Sequence, residues 1–131
     1  MIIVPTQASA DMLDDLVRIP RTLRLFVNDY TPMAVTARGD LQEAPGDKGY
    51  TAVILAPAAW KITPGKPPLG EYPKIVFTFT GSMGMVYGYF VTSNSDGKLR
   101  WVERFADGPV PIRNADDQIK ITPRMLLGQP S

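Results

Sequence analysis

Histidine and cysteine are both missing from the 131 residues. The first absence removes imidazole general bases and every nucleophilic triad built on histidine. The second removes thiolate nucleophiles and disulfides, and together they exclude His/Cys zinc or iron sites. An enzyme built from this chain would depend on carboxylate, lysine, tyrosine or serine chemistry. With no cysteine to count, disulfide usage says nothing about compartment. No apolar run approaches the length that spans a bilayer, so no membrane role is expected. No Lys/Arg-rich block occurs, and the formal charge is +1, so no direct contact with nucleic acid is expected either. "MIIVPT" is too short for a signal-peptide apolar region and lacks a basic leader, which predicts a product of the cytosol unless it leaves within something larger.

Hydrophobic residues at 44% and charged residues at 21% sit in the ordinary globular range, and the length suits a single domain over residues 1–131. Proline is abundant, with 13 residues, and flanks nearly every segment. Each proline removes a backbone donor and fixes φ, which cuts helices short and favours extended segments. One short helix is predicted over residues 9–18. Leu13, Leu16 and Val17 fall on one face, Ser9 is placed to cap it, and Pro20 ends it. Residues 1–8 form an N-terminal arm, residues 36–50 an irregular loop, and residues 123–131 a C-terminal tail. The remainder reads as about seven short strands separated by turn signals, an all-β sandwich.

Alternation marks the strands. Leu23, Leu25 and Val27 share one side of "TLRLFVN", with Arg24 and Phe26 on the other. Ile75, Phe77 and Phe79 alternate in the same way, and "DQIKITP" supplies Ile119 and Ile121 to a last strand. Between them, "NSDG" joins two strands as a hairpin. Pairing Ser93 with Lys98 predicts Phe90 opposite Trp101, Val86 opposite Phe105 and Gly88 opposite Glu103. On the reverse face it sets Tyr87 against Arg104, Tyr89 against Val102 and Val91 against Arg100.

The candidate chemistry lies in "WVERFADGPVPI" and the "NADDQI" that follows. Glu103 is the acid inside a predicted strand, on the face of Trp101 and Phe105, so it needs a partner or a proton. Opposite Gly88 it would have room for one. A structural carboxylate is the favoured reading; a catalytic acid working with Asp107 or Asp116 is the alternative. Asp107 reads as a turn former completed by Gly108 and Pro109, and "NADDQI" as a turn whose spacing does not suit calcium. "GSMGM" opens no helix, so it predicts a bulge rather than a phosphate loop. No catalytic residue, metal site or cofactor is therefore assigned. Trp60 and Trp101 suit a core, or alternatively a sugar-stacking platform.

Both faces of the hairpin are apolar or aromatic, where small antiparallel sheets usually keep one face polar. Either a partner covers one face, or a second sheet and the helix do; the residues leave both open. The run "VYGYFVTSNSDGKLRWVERFADGPVPIRNADDQIKITPRMLL", with "VPTQASADML" and "LRLFVNDYTP", resembles a family of small virion structural proteins of tailed bacteriophages. The resemblance covers most of the chain and is weakest over residues 36–74. It implies a jelly-roll-like fold and a non-enzymatic role as a capsid cement or decoration protein on the outside of the phage capsid. The implied partners are the phage major capsid protein and a second copy of the chain in a homodimer. The implied location is the virion exterior, after synthesis in the host bacterial cytoplasm. Its contact residues are expected at Ile2, Ile3 and Val4 of the arm, at Arg38, and on a face with Tyr87, Tyr89 and Arg104. Gly88, Trp101, Glu103 and Asp107 are expected to be structural. Related readings are a tail or head–tail junction component, or a carbohydrate-binding module displayed on a virion.

Overall fold

Prolines and glycines break the chain into short strands, and every pairing among them is antiparallel. The computed structural model describes residues 2–3, 20–63, 69–94 and 96–126. The strands are β1 (Ile2–Ile3), β2 (Arg21–Phe26), β3 (Val53–Leu55), β4 (Lys61–Thr63), β5 (Leu69–Glu71) and β6 (Ile75–Thr78). There follow β7 (Gly84–Val86), β8 (Gly88–Ser93), β9 (Leu99–Arg104), β10 (Val110–Ile112), β11 (Gln118–Ile121) and β12 (Arg124–Leu126). Three 3-10 turns, Arg38–Asp40, Gly46–Lys48 and Pro57–Ala59, are the only helical pieces among the described residues. The all-β expectation therefore holds. The helix predicted over residues 9–18 lies outside the described residues, as does Val4.

Five strands form the central sheet in the order β1-β9-β8-β2-β3, accompanied by the pairs β10-β7 and β11-β6 and the three-stranded sheet β12-β5-β4. The main core joins one face of the central sheet to the pairs β10-β7 and β11-β6. Leu23, Leu25, Leu55, Tyr89, Val91 and Trp101 meet Phe77, Phe79, Val86, Ile112, Ile119 and Ile121 there. Alternation explains which residues enter: in β6, Ile75 and Phe77 are buried while Val76 and Thr78 are exposed. Each large side chain fully buried in this way stabilises the fold by about 1.5–3 kcal/mol.

The opposite face of the central sheet is also covered, by the chain itself. Phe26, Phe90, Leu99 and Val102 pack with Leu41 in a second core, with Tyr30 and Tyr87 against them. All six residues of β8 are consequently buried. Leu41 comes from the segment predicted as an irregular loop, and that segment lies down on the sheet. Val27 N–H donates to the Gln42 carbonyl at 2.9 Å, and Ala44 N–H to the Leu25 carbonyl at 3.0 Å. Among the described residues both faces of the hairpin are thus covered from within the chain, one by the pairs β10-β7 and β11-β6 and the other by this segment.

The hairpin register departs from the prediction at one residue. The turn end pairs as expected, Ser93 N–H donating to the Lys98 carbonyl at 3.0 Å. Thr92 then faces Leu99, but Val91 faces Trp101, leaving Arg100 as an extra residue on β9. This β-bulge shifts the remaining pairs by one: Phe90 with Val102, Tyr89 with Glu103 and Gly88 with Arg104. It also reverses the alternation, so Leu99 enters the outer core and Trp101 the main one. The expected pairs Phe90–Trp101, Gly88–Glu103, Tyr89–Val102 and Val91–Arg100 are all replaced.

Gly88 therefore does not make room for the Glu103 side chain. A Cβ at Gly88 would lie 2.1 Å from the Glu103 carbonyl oxygen and 2.6 Å from the Phe26 ring. Gly88→Ala is expected to lower unfolding free energy by about 3 kcal/mol in denaturant titrations, through overpacking against backbone that cannot yield. Gly39→Ala, where the new methyl meets nothing within 4 Å, serves as the control and should fall within about 0.5 kcal/mol of wild type.

Candidate functional site

Glu103 and Asp107 do share a cleft, of about 350 Å³. Strand β9 delivers Glu103, between Tyr89 on one side and Ile2 on the other. The chain then turns, with Gly108 N–H donating to the Phe105 carbonyl at 3.2 Å and Gly108 at φ +91°. That turn places Asp107 on the rim, while β11 supplies Gln118 and Lys120. Phe105 and Val110 give the cleft an apolar wall. Two carboxylates, an amide and an ammonium around an aromatic ring can hold a small polar group. Asp107 lies in this tight turn, which the backbone bond from Gly108 to Phe105 closes.

Behind Glu103 lies Tyr89, 1 % exposed. Burial, then the Glu103 carboxylate, pushes its hydroxyl well above the ordinary tyrosine value, so it stays protonated. Tyr89 belongs to the main core and is withdrawn from the expected contact face. Asp116 is not among the groups around the cleft. It stands at φ 73°, with its N–H donating to the Phe79 carbonyl at 2.8 Å. The carboxylate that organises "NADDQI" is Asp117, which accepts from the N–H groups of Arg113 and Asn114 at 2.9 and 3.0 Å. Among the described residues, no group of three or more His, Cys, Asp or Glu is placed to hold a metal.

Trp101 is fully buried, which removes it from any sugar-stacking platform. Its ring meets that of Trp60 edge-on at 5.9 Å, and the buried Arg21 guanidinium lies 5.9 Å from its centroid. Trp60 is half-buried against the same core and meets Tyr72 edge-on at 5.2 Å.

Three other expected contact residues, Tyr87, Arg104 and Arg38, fall on the opposite side of the central sheet. The Arg104 guanidinium lies 5.2 Å from the centroid of the Tyr87 ring, donates to Asp29 at 2.7 Å and donates to the Tyr30 carbonyl at 3.1 Å. These contacts fix residues 29–36 beside the sheet. Thr36, itself buried, closes the segment: its hydroxyl accepts from Met33 N–H at 2.9 Å, and its own N–H donates to the Met33 carbonyl at 3.0 Å. The turn so made holds Met33 at 55 % and Val35 at 81 % exposure. Neither residue was expected as a contact. The available signal was an apolar pair inside "YTPMAVT", with a threonine positioned to close the turn.

Arg38 is engaged within the chain. It donates to Glu43 at 3.2 Å and to the Leu41 carbonyl at 3.2 Å, with its guanidinium 4.7 Å from the centroid of the Phe90 ring. Glu43 also accepts from Arg24 at 3.0 Å and from the Tyr50 hydroxyl at 2.7 Å. Burial and Glu43 together raise the Tyr50 hydroxyl far above its ordinary value. Of the arm, Ile2 and Ile3 pair with Glu103 and Val102 at the sheet edge. Comparisons with protein-family models, curated proteins and solved structures find no match for this chain.

Asp117 and Asp96 are both held below the usual aspartate value of 3.8, chiefly by backbone N–H groups of Arg113 and Lys98 respectively. A depressed folded value makes the ionised form stabilising, fully so above 3.8, with loss as pH falls through the folded value. Wild-type thermal stability should therefore drop as pH is lowered past 3.8, with a shallower drop in Asp117→Asn. Identical acid limbs in the two melting series would contradict this.

Proposed function

We propose that the chain is a non-enzymatic structural protein of tailed bacteriophage virions: a jelly-roll-like capsid cement protein that binds the outside of the major capsid protein lattice. Its resemblance to small virion structural proteins supports this, and so does the way its polar groups are used. Glu43, Asp96 and Asp117 each secure a loop or turn through hydrogen bonds. The observation that carries the reading is the Met33/Val35 tip. Two apolar side chains are held in water on a turn fixed by Thr36, in a segment tied to Arg104 through Asp29 and the Tyr30 carbonyl. Pre-organised apolar anchors of this kind contribute most when they enter a pocket on a partner, because little conformational freedom is lost. Arg104, Tyr87 and the Ile2–Ile3 end of the arm extend the contact, and a homodimer would present it twice. The protein is made in the host bacterial cytoplasm and acts on the capsid exterior.

Mixing the purified chain with expanded empty capsids of the phage that encodes it should give saturable, stoichiometric binding and a higher shell melting temperature. A Met33→Asp, Val35→Asp double variant should keep the wild-type fold and bind at least about tenfold more weakly. Absence of binding at micromolar wild-type protein would refute the cement role, and binding to isolated tails alone would move the protein to the tail.

A further inference from the structure

The central sheet ends at β3, which pairs with β2 on one side and with no described strand on the other. Most other free edges carry features that oppose strand addition: Lys61 in β4, Pro111 in β10, Lys120 in β11 and Arg124 in β12. β3 carries none. From Gly49 to Trp60 the chain has no charged residue at all. Ile54, at the middle of the strand opposite Thr22, is 64 % exposed.

We infer that the β3 edge is a self-association surface, and that its occupant is β3 of a second copy of this chain. An edge strand laid against its own copy about a two-fold axis is antiparallel by symmetry, so each donor row faces an acceptor row. A charged edge would bring like charges together at that axis; this one brings none. The ladder has a defined end. Ala56 N–H is taken by the Tyr72 hydroxyl at 2.9 Å, and Pro57 follows. That ends the pairing after Leu55, and a two-fold axis at Ile54, the exposed middle residue of β3, sets that residue against its counterpart in the second copy. The two isoleucines, exposed in the single chain, cover one another. A three-residue strand pair is a small contact, so the dimer forms and dissociates with concentration. A homodimer is part of the reading above; its location rests on the strand edge, and the test uses no capsid.

Because the chain has no cysteine, a single engineered thiol reports the contact cleanly. Cα atoms opposed across an antiparallel pair lie about 4.5–5.5 Å apart, within disulfide reach. Ile54→Cys should therefore be captured largely as a covalent dimer on mild oxidation. Val76→Cys, also exposed, should remain monomeric. In sedimentation equilibrium, the wild type should rise from 14.4 kDa toward twice that mass with concentration. Ile54→Lys should stay monomeric with an unchanged melting temperature; if it does not fold, the two cysteine variants decide. A wild type that stays monomeric up to about 1 mM overturns the inference. So does an Ile54→Lys dimer as strong as wild type, or cross-linking of Val76→Cys as efficient as that of Ile54→Cys. Failure of capsid binding alone would leave it standing.

Discussion

An extra residue in one strand of a buried hairpin determines where its side chains go. Up to Leu99 the chain follows the register set by the turn, and Leu99 faces the outer core. Arg100 is then passed over, and Trp101 emerges on the inner side, against Trp60 and the main core. Had strict alternation continued, Leu99 and Trp101 would have entered the same core. From that point Glu103 meets Tyr89 and Arg104 meets Gly88, which aligns the Glu103 carbonyl with the one position on β8 that lacks a side chain. The Glu103 cleft and the Arg104–Tyr87 contact both lie downstream of this shift.

Two-sided burial of the central sheet requires a lid, and residues 28–50 supply one. Leu41 brings the apolar surface, and Glu43 ties the segment down by accepting from Arg24, Arg38 and Tyr50. A partly buried carboxylate is stable here because it is surrounded by donors; removing a donor would leave charge with too little compensation. The same lid ends in the Asp29–Arg104 and Thr36–Met33 contacts that hold the exposed apolar turn. Core packing and the proposed contact surface are therefore continuous, since the segment that covers the sheet also displays Met33 and Val35.

Much of the strand content was legible because simple alternation was obeyed. Leu23, Leu25, Phe77, Ile119 and Ile121 are buried where their spacing puts them. The Arg100 bulge was not legible: neither glycine nor proline marks it, and it is decided by which core accepts Trp101. The lid was hidden by its own composition. "ARGDLQEAPGDKG" is polar and punctuated, and its single Leu41 does not advertise a core contact. The reading of "WVERFADGP" separated Glu103 in its strand from Asp107 in its turn, and the cleft they share emerges only from the fold, while the ordering role of Asp117 was indistinguishable from that of Asp116 without backbone geometry. Tyr87 and Tyr89 were grouped by composition and are separated by the sheet between them.

The account rests on the bulged register of a hairpin buried on both faces. Cross-strand nuclear Overhauser contacts in uniformly labelled protein test that most directly. The account predicts close backbone contacts for the pairs Val91–Trp101 and Tyr89–Glu103, with Thr92 opposite Leu99. Contacts pairing Phe90 with Trp101 and Gly88 with Glu103 would mean an unbulged hairpin, and would contradict the assignment of both cores.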